Sequence, residues 1–418
     1  MEKDSVTDCA DNYQRGQHLL ILLCCFAFGV AYAGRCAYSA NISNLMNDYQ
    51  ITRADAGAVG TVYFVSYGIS QLLHAALCRF YPRRTTVPIA LFLSAGVYVA
   101  MCFRLPFPVI KCLWFFKGIC QSLLWPALLL VLGETLEKSM MNRAVLAMSL
   151  SSPVGAALGY GGSILFSFGT GYRFSFLFVA LISFGVGAGW LLSYRKIAAK
   201  RSCDAAPSDG LRSVNGFGKR NAALLWLLLL FAFLAAVDYF VKDGLNLWMP
   251  TILGEMLAFS DRISMIVTLI LSCLGVFGTV LALRGQRMIK DYRALLGVFF
   301  FVLAVIFGFL LLFLHFHGKI PFLLCFGVVF VLTESISNVL TGMIPFAFRK
   351  NVNTGFLAGF ISASSYVGSM VSAYGLGRIS DCFGWNAVVL VFLCVCGFAA
   401  VLVGAAYAVA AVCRKRKV

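Results

Sequence analysis

Long apolar runs, broken at short intervals by polar stretches, fill almost the whole chain. Twelve such segments can be read, at roughly 17–43, 55–78, 86–104, 108–133, 142–167, 174–194, 221–254, 263–284, 293–315, 320–346, 354–379 and 384–412. A helix needs about 20 apolar residues to cross a bilayer, and most of the segments exceed that. The pattern therefore predicts an all-α integral membrane protein of twelve transmembrane helices. The longest polar stretch, 195–220, carries Pro207, Ser208, Asp209, Gly210 and seven basic residues. It reads as a linker between two six-helix bundles, residues 1–194 and 221–418.

Composition agrees with this reading. Of 418 residues, 61% are hydrophobic and 12% charged, and the mean hydropathy is +0.87. Such a chain belongs in lipid. The 15 cysteines fall mostly inside apolar runs without metal-type spacing, and read as small buried residues with no disulfides. Ala31-Tyr32-Ala33 ends the first run like a signal-peptidase box. Residues 1–17, however, carry Glu2, Asp4, Asp8 and Asp11 where a secretory signal has a basic region, so the first run is expected to stay as a helix.

The net charge of +17 could point to nucleic acid, but the charge follows the loops and forms no single face. With the N-terminus in the cytoplasm, 24 of the 34 lysines and arginines fall on the cytoplasmic side and seven outside. That asymmetry predicts both termini and the 195–220 loop inside, in a multi-pass protein of the cell membrane. The other three basic residues, Arg35, Lys117 and Lys242, lie within helices. A charge at membrane depth is costly and marks function by default.

The two halves echo each other. Tyr32-Ala33-Gly34-Arg35 in segment 1 is answered by Tyr239-Phe240-Val241-Lys242 in segment 7. In segment 5, Leu146-Ala147, Val154-Gly155 and Tyr160-Gly161 are answered in segment 11 by Leu357-Ala358, Val367-Gly368 and Tyr374-Gly375. Parallel six-helix repeats build one large class of secondary transporters. Gly155, Gly159, Gly161, Gly162, Gly368, Gly375 and Gly377 are expected to allow close helix contact. The intramembrane acids are Asp238 and Asp243 in segment 7 and Glu334 in segment 10.

Several runs together resemble the major facilitator superfamily and, within it, the organophosphate:phosphate antiporter family of the glycerol-3-phosphate and hexose-phosphate type. They are Arg35; Ser66-Tyr67-Gly68-Ile69-Ser70; Gln121 with Trp125-Pro126; Tyr239 to Thr251 (YFVKDGLNLWMPT); Ala358-Gly359-Phe360 with Tyr366 and Gly368; and Asp381-Cys382-Phe383-Gly384-Trp385. The resemblance implies two pseudo-symmetric bundles with helices 1, 4, 7 and 10 lining a central cavity. All six intramembrane charges fall on those four helices. It also implies Arg35 and Lys242 as phosphate contacts. The chain departs from the family in having Lys242 for an arginine, Asp243 for a tyrosine, Gln71 for a lysine, Cys78 beside Arg79 for an aspartate, Ser152 for a histidine and Ser272 for an acid.

Candidate substrate contacts are Arg35, Lys242, Lys117, Gln121 and the hydroxyls of Tyr32, Tyr38, Tyr67, Tyr239 and Tyr366. Arg35 offers a planar fork to two oxygens of an anion, or else snorkels to the surface. Asp238 and Lys242 are four apart and can pair on one helix face. Lys117 either serves the cavity or reaches the outer interface. Glu334 is a coupling group or a partner of Lys117, and Asp243 is a further acid for coupling or pairing. The expected function is alternating-access transport of a small organic anion, a phosphorylated sugar or polyol, coupled to inorganic phosphate or protons. Proton-coupled symport of a sugar acid or other carboxylate, and sugar-phosphate sensing, are the alternatives. No catalytic residue, metal or cofactor is expected. The partners are membrane lipid and the anion, with no nucleic acid, and the protein is expected to be a monomer.

Overall fold

The computed structural model describes residues 2–77, 80–137, 139–166, 171–199, 222–315, 318–348, 352 and 354–415. The motif residues Cys78 and Arg79, and residues 200–220 of the expected linker, lie outside them. Every apolar segment is helical over most of its described residues. In chain order the helices are α1 (Glu2–Ala40), α2 (Ile42–Tyr49), α3 (Arg53–Leu77), α4 (Arg83–Ala100), α5 (Phe107–Ser122), α6 (Leu124–Thr135), α7 (Met141–Phe166) and α8 (Arg173–Ala199). They continue as α9 (Ala222–Leu257), α10 (Asp261–Leu274), α11 (Val276–Met288), α12 (Tyr292–His315), α13 (Lys319–Ser337), α14 (Ile344–Ala347) and α15 (Thr354–Lys415). Among the described residues, eight helical runs are long and apolar enough to cross a membrane by length and composition.

Among the described residues, twelve segments give fifteen helices because several segments are interrupted, and most interruptions have a local cause. Segment 4 breaks between α5 and α6, where Pro126 can give no amide hydrogen to the carbonyl four residues back. Segment 10 passes from α13 through a π turn, Asn338–Met343, into α14, with Pro345 just beyond. Segment 8 breaks at Gly275. Conversely, segments 11 and 12 run together as α15, bent at Gly384 with φ 77° and ψ 175°, a conformation open to glycine alone at little cost. The short helix α2 is absent from the hydropathy reading, because its eight residues mix polar and apolar positions.

Contacts group the chain into two compact units, residues 1–41 with 69–214 and residues 42–68 with 215–418. The halves expected from the linker, 1–194 and 221–418, differ from this grouping in the stretch 42–68. Three ties explain its place. The carboxylate of Asp381 accepts the backbone N–H groups of Arg53 (3.2 Å) and Ala54 (2.8 Å), capping α3 from α15. Arg53 pairs with Glu255 (2.6 Å) and with Asp381 (3.2 Å), and Trp385 Nε1 donates to Glu255 (2.9 Å). Thr61 Oγ1 donates to the carbonyl of Met370 (2.9 Å).

Each unit is built on one pair of long helices in close contact, α1 with α7 in the first and α9 with α15 in the second. A side chain at Gly155 or Gly159 would strike the backbone of α1 at Gly29 and Ala33, and one at Gly368 would strike Ala236 of α9. Segments 1 and 5 therefore meet as segments 7 and 11 do, as the internal repeat predicts. Gly162 faces Phe178, and Gly377 faces Arg53 and Trp248. At Gly161 and Gly375 an added methyl group would meet nothing within 4 Å, so the expectation of close contact fails at those two. Lipid gives no hydrophobic drive between helices, so such close backbone packing carries much of their association.

Candidate functional site

In the first unit, two cations share one neighbourhood. Arg35 on α1 lies with its guanidinium 5.1 Å from the ring centroid of Tyr32, one turn back. Lys117 on α5 is 0% exposed. Of the two alternatives for Lys117, reaching the outer interface does not fit a side chain this buried. Its ammonium donates to the side-chain oxygen of Gln121, one turn on, and to the carbonyl of Ala31 on α1 (3.4 Å). It also sits 5.5 Å from the ring of Trp114 and 5.6 Å from that of Tyr98. Through the Ala31 carbonyl, Lys117 thus meets α1 one turn before Arg35. Tyr38 is buried, its ring 4.5 Å from that of Trp114.

In the second unit, Lys242 on α9 binds Glu334 Oε2 at 2.6 Å and donates to Ser337 Oγ at 3.2 Å. Ser337 in turn donates to Asp238 Oδ2 at 2.6 Å. Two sequence expectations change here. Lys242 does not pair with Asp238, because α13 brings a carboxylate and a hydroxyl to the same ammonium. Glu334 is the partner of Lys242, not of Lys117. Asp243, the residue after Lys242 on the same helix, accepts from Ser369 Oγ of α15 at its Oδ2 (2.6 Å).

The aromatic candidates of this unit form a chain of rings. Tyr67 lies 5.8 Å from Tyr63 and 4.6 Å from Tyr366, Tyr366 lies 6.2 Å from Tyr239, and Lys242 sits 5.3 Å from the Tyr239 ring. The stretch carrying Tyr67 thus groups with α9 and α15, and three of the five predicted tyrosines come together. Tyr32 and Tyr38 are on α1 in the other unit.

Sequence reasoning passed over Ser337, Tyr98, Trp114 and Ser369. Serines and aromatics are common in apolar helices, so nothing marks these four individually. One signal was available for Ser337, which stands three residues after Glu334 and so on the same helix face. The π turn that follows Ser337 is a second, structural mark, since such turns gather at functional sites.

The comparisons with known proteins agree with this architecture. The family model described as Major Facilitator Superfamily matches residues 23–345. A search of curated proteins gave no match. Among solved structures, a bacterial homolog of the human lysosomal transporter Spinster, in an inward-facing and occupied conformation, aligns with TM-score 0.71 at 13% identity. The alignment covers 93% of this chain and 96% of that one. The D-xylose–proton symporter aligns with TM-score 0.72 at 16% identity, over 94% and 97%. A point mutant of the nucleoside transporter NupG aligns with TM-score 0.70 at 11% identity, over 93% and 99%. At these identities the likeness is one of fold.

Proposed function

We propose that this chain, which belongs to the major facilitator superfamily and is a multi-pass membrane transporter, carries a small organic anion by alternating access, with a phosphorylated sugar or polyol as its cargo. The observation that carries the reading is the placing of cations within the apolar helices. Arg35 and Lys117 share one neighbourhood in the first unit, and Lys242 stands beside Tyr239 in the second. Buried cations with hydrogen-bonding tyrosines and an amide are what an anionic oxygen needs when it leaves water. Lys117 fits the role because it is a fully buried ammonium beside the Gln121 amide, on the helix face that meets α1.

A second reading, proton-coupled symport of a sugar acid or other carboxylate, draws support from the second unit. There Lys242 is already held by Glu334. An incoming anion must displace that carboxylate, which favours coupling to protons over strict exchange for phosphate. The protein is proposed to work as a monomer in the cell membrane with both termini in the cytoplasm. Sugar-phosphate sensing is a third reading, separated from transport by whether the protein moves the anion in proteoliposomes.

A thermal-shift screen of the purified protein tests the substrate class. Sugar phosphates are expected to raise the melting temperature, and the parent sugars to leave it unchanged. Stabilisation by neutral sugars or nucleosides, with none by any anion, contradicts the proposal.

A further inference from the structure

The network around Lys242 holds more acid than that one cation can balance. Lys242 is one positive charge, and the network it heads holds two carboxylates, Glu334 directly and Asp238 through Ser337. The two acids differ in access. The Glu334 side chain is 34% exposed, whereas Asp238 is 0% exposed. Asp238 also has a half-satisfied carboxyl group. Oδ2 accepts from Ser337, but Oδ1 is buried and has no hydrogen-bond partner. An ionised carboxylate with one oxygen that no protein donor meets has a high desolvation cost when it is fully buried.

The groups that act on Asp238 come from three elements. Lys242, Tyr239 and Asp243 share its helix, Glu334 and Ser337 come from α13, and Cys396 comes from α15. Lys242 is the one cation in this group, and it is committed to Glu334 and Ser337.

We propose that Asp238 is the group that binds the coupling proton, on Oδ1, and that Glu334 serves as the exposed partner that Lys242 releases when the anion arrives. This rests on reading the chain as an anion transporter. A proton from the aqueous phase forms the O–H bond on Oδ1, no other covalent bond changes, and the same proton returns to water when the bond breaks. With that proton in place, one lysine faces one carboxylate and the network is neutral. Ser337 links Asp238 to Lys242, since its hydroxyl donates to the acid and accepts from the lysine. A shift of Lys242 toward an incoming anion is thereby felt at Asp238.

The test uses the full-length protein in lipid and needs no identified cargo. Infrared difference spectra are recorded across a pH titration, reading the carboxyl C=O stretch. A component is expected that is lost in Asp238→Asn, kept in Glu334→Gln, and moved in frequency in Ser337→Ala, which removes the hydrogen bond to Oδ2. Ser337→Ala keeps the test decisive where Asp238→Asn does not fold. Proteoliposome uptake of glucose 6-phosphate and gluconate is then measured with the same proteins. For a transported anion, Asp238→Asn is expected to keep exchange across the membrane and to lose accumulation driven by a proton gradient. Titration spectra of Asp238→Asn that superimpose on those of the wild type, or gradient-driven accumulation by that variant, overturn the inference. Wild-type protein that moves no anion sinks the transport reading instead, and the infrared component still decides whether Asp238 takes a proton.

Discussion

Lys117 and Lys242 are the same residue in the same kind of place, inside an apolar helix one turn from a polar neighbour, yet they are held in opposite ways. Lys117 is sealed, and its protons go to an amide oxygen and a backbone carbonyl beside two aromatic rings. Lys242 is partly reachable, 19% exposed in its side chain, and grips a carboxylate at 2.6 Å. A neutral oxygen yields to an anionic one, because an ammonium is drawn more strongly to a full negative charge than to a carbonyl dipole. A carboxylate yields only to a competing anion or a proton. The first site thus offers a sealed ammonium, and the second one that must be exchanged off a carboxylate. The lesson is that the charge type at a position says less about function than the partner that neutralises it.

The largest effect is expected from breaking the second site. Lys242→Met leaves Glu334 and Asp238 without their cation. For a pair a fifth to a third exposed we expect a loss of about 1–2 kcal/mol, below the 3–5 of a sealed pair. Thermal denaturation should show the drop, and Lys242→Met with Glu334→Gln should recover most of it. If the double change is no more stable than the single one, the pair at Lys242 is not what holds that site.

A smaller change in stability, with a larger one in binding, is expected at the first site. Lys117→Met removes a buried charge and leaves the Gln121 amide short of a donor, so stability should move by no more than about 1 kcal/mol. Anion affinity should fall about tenfold to a hundredfold, matching the loss of a charged hydrogen bond worth roughly 1.5–3 kcal/mol. Titration of binding against melting separates the two, and a large destabilisation with unchanged affinity would make Lys117 a structural residue. The smallest effect belongs to Gln121→Ala, which should weaken anion binding by only a fewfold, since Lys117 keeps its charge and the Ala31 carbonyl.

Much of the fold could be read from the sequence because apolar length alone forces the answer in lipid, where helices must satisfy their own backbones. The repeat could be read in the glycines of segments 5 and 11, because close helix contact excludes side chains at fixed places such as Gly155 and Gly368. Pairing was harder. Asp238 and Lys242 stand four apart, the spacing of a helix-surface pair, but α13 offers Lys242 a closer carboxylate across the interface. Spacing along one helix says nothing about what a second helix brings. The grouping of residues 42–68 with the second unit depends likewise on long-range ties from Arg53 to Glu255 and Asp381. Those charges sit at helix ends or, for Asp381, beside the bend in α15, where they resemble ordinary solvated residues.

Proteoliposome uptake by the wild type and Arg35→Ala, comparing an anionic sugar derivative with its neutral parent, tests the account most directly. The account predicts saturable uptake of the anion and not of the parent, reduced about tenfold or more in Arg35→Ala because a bidentate charged contact is lost. Uptake of the neutral parent alone, or anion uptake by Arg35→Ala at the wild-type rate, would contradict it.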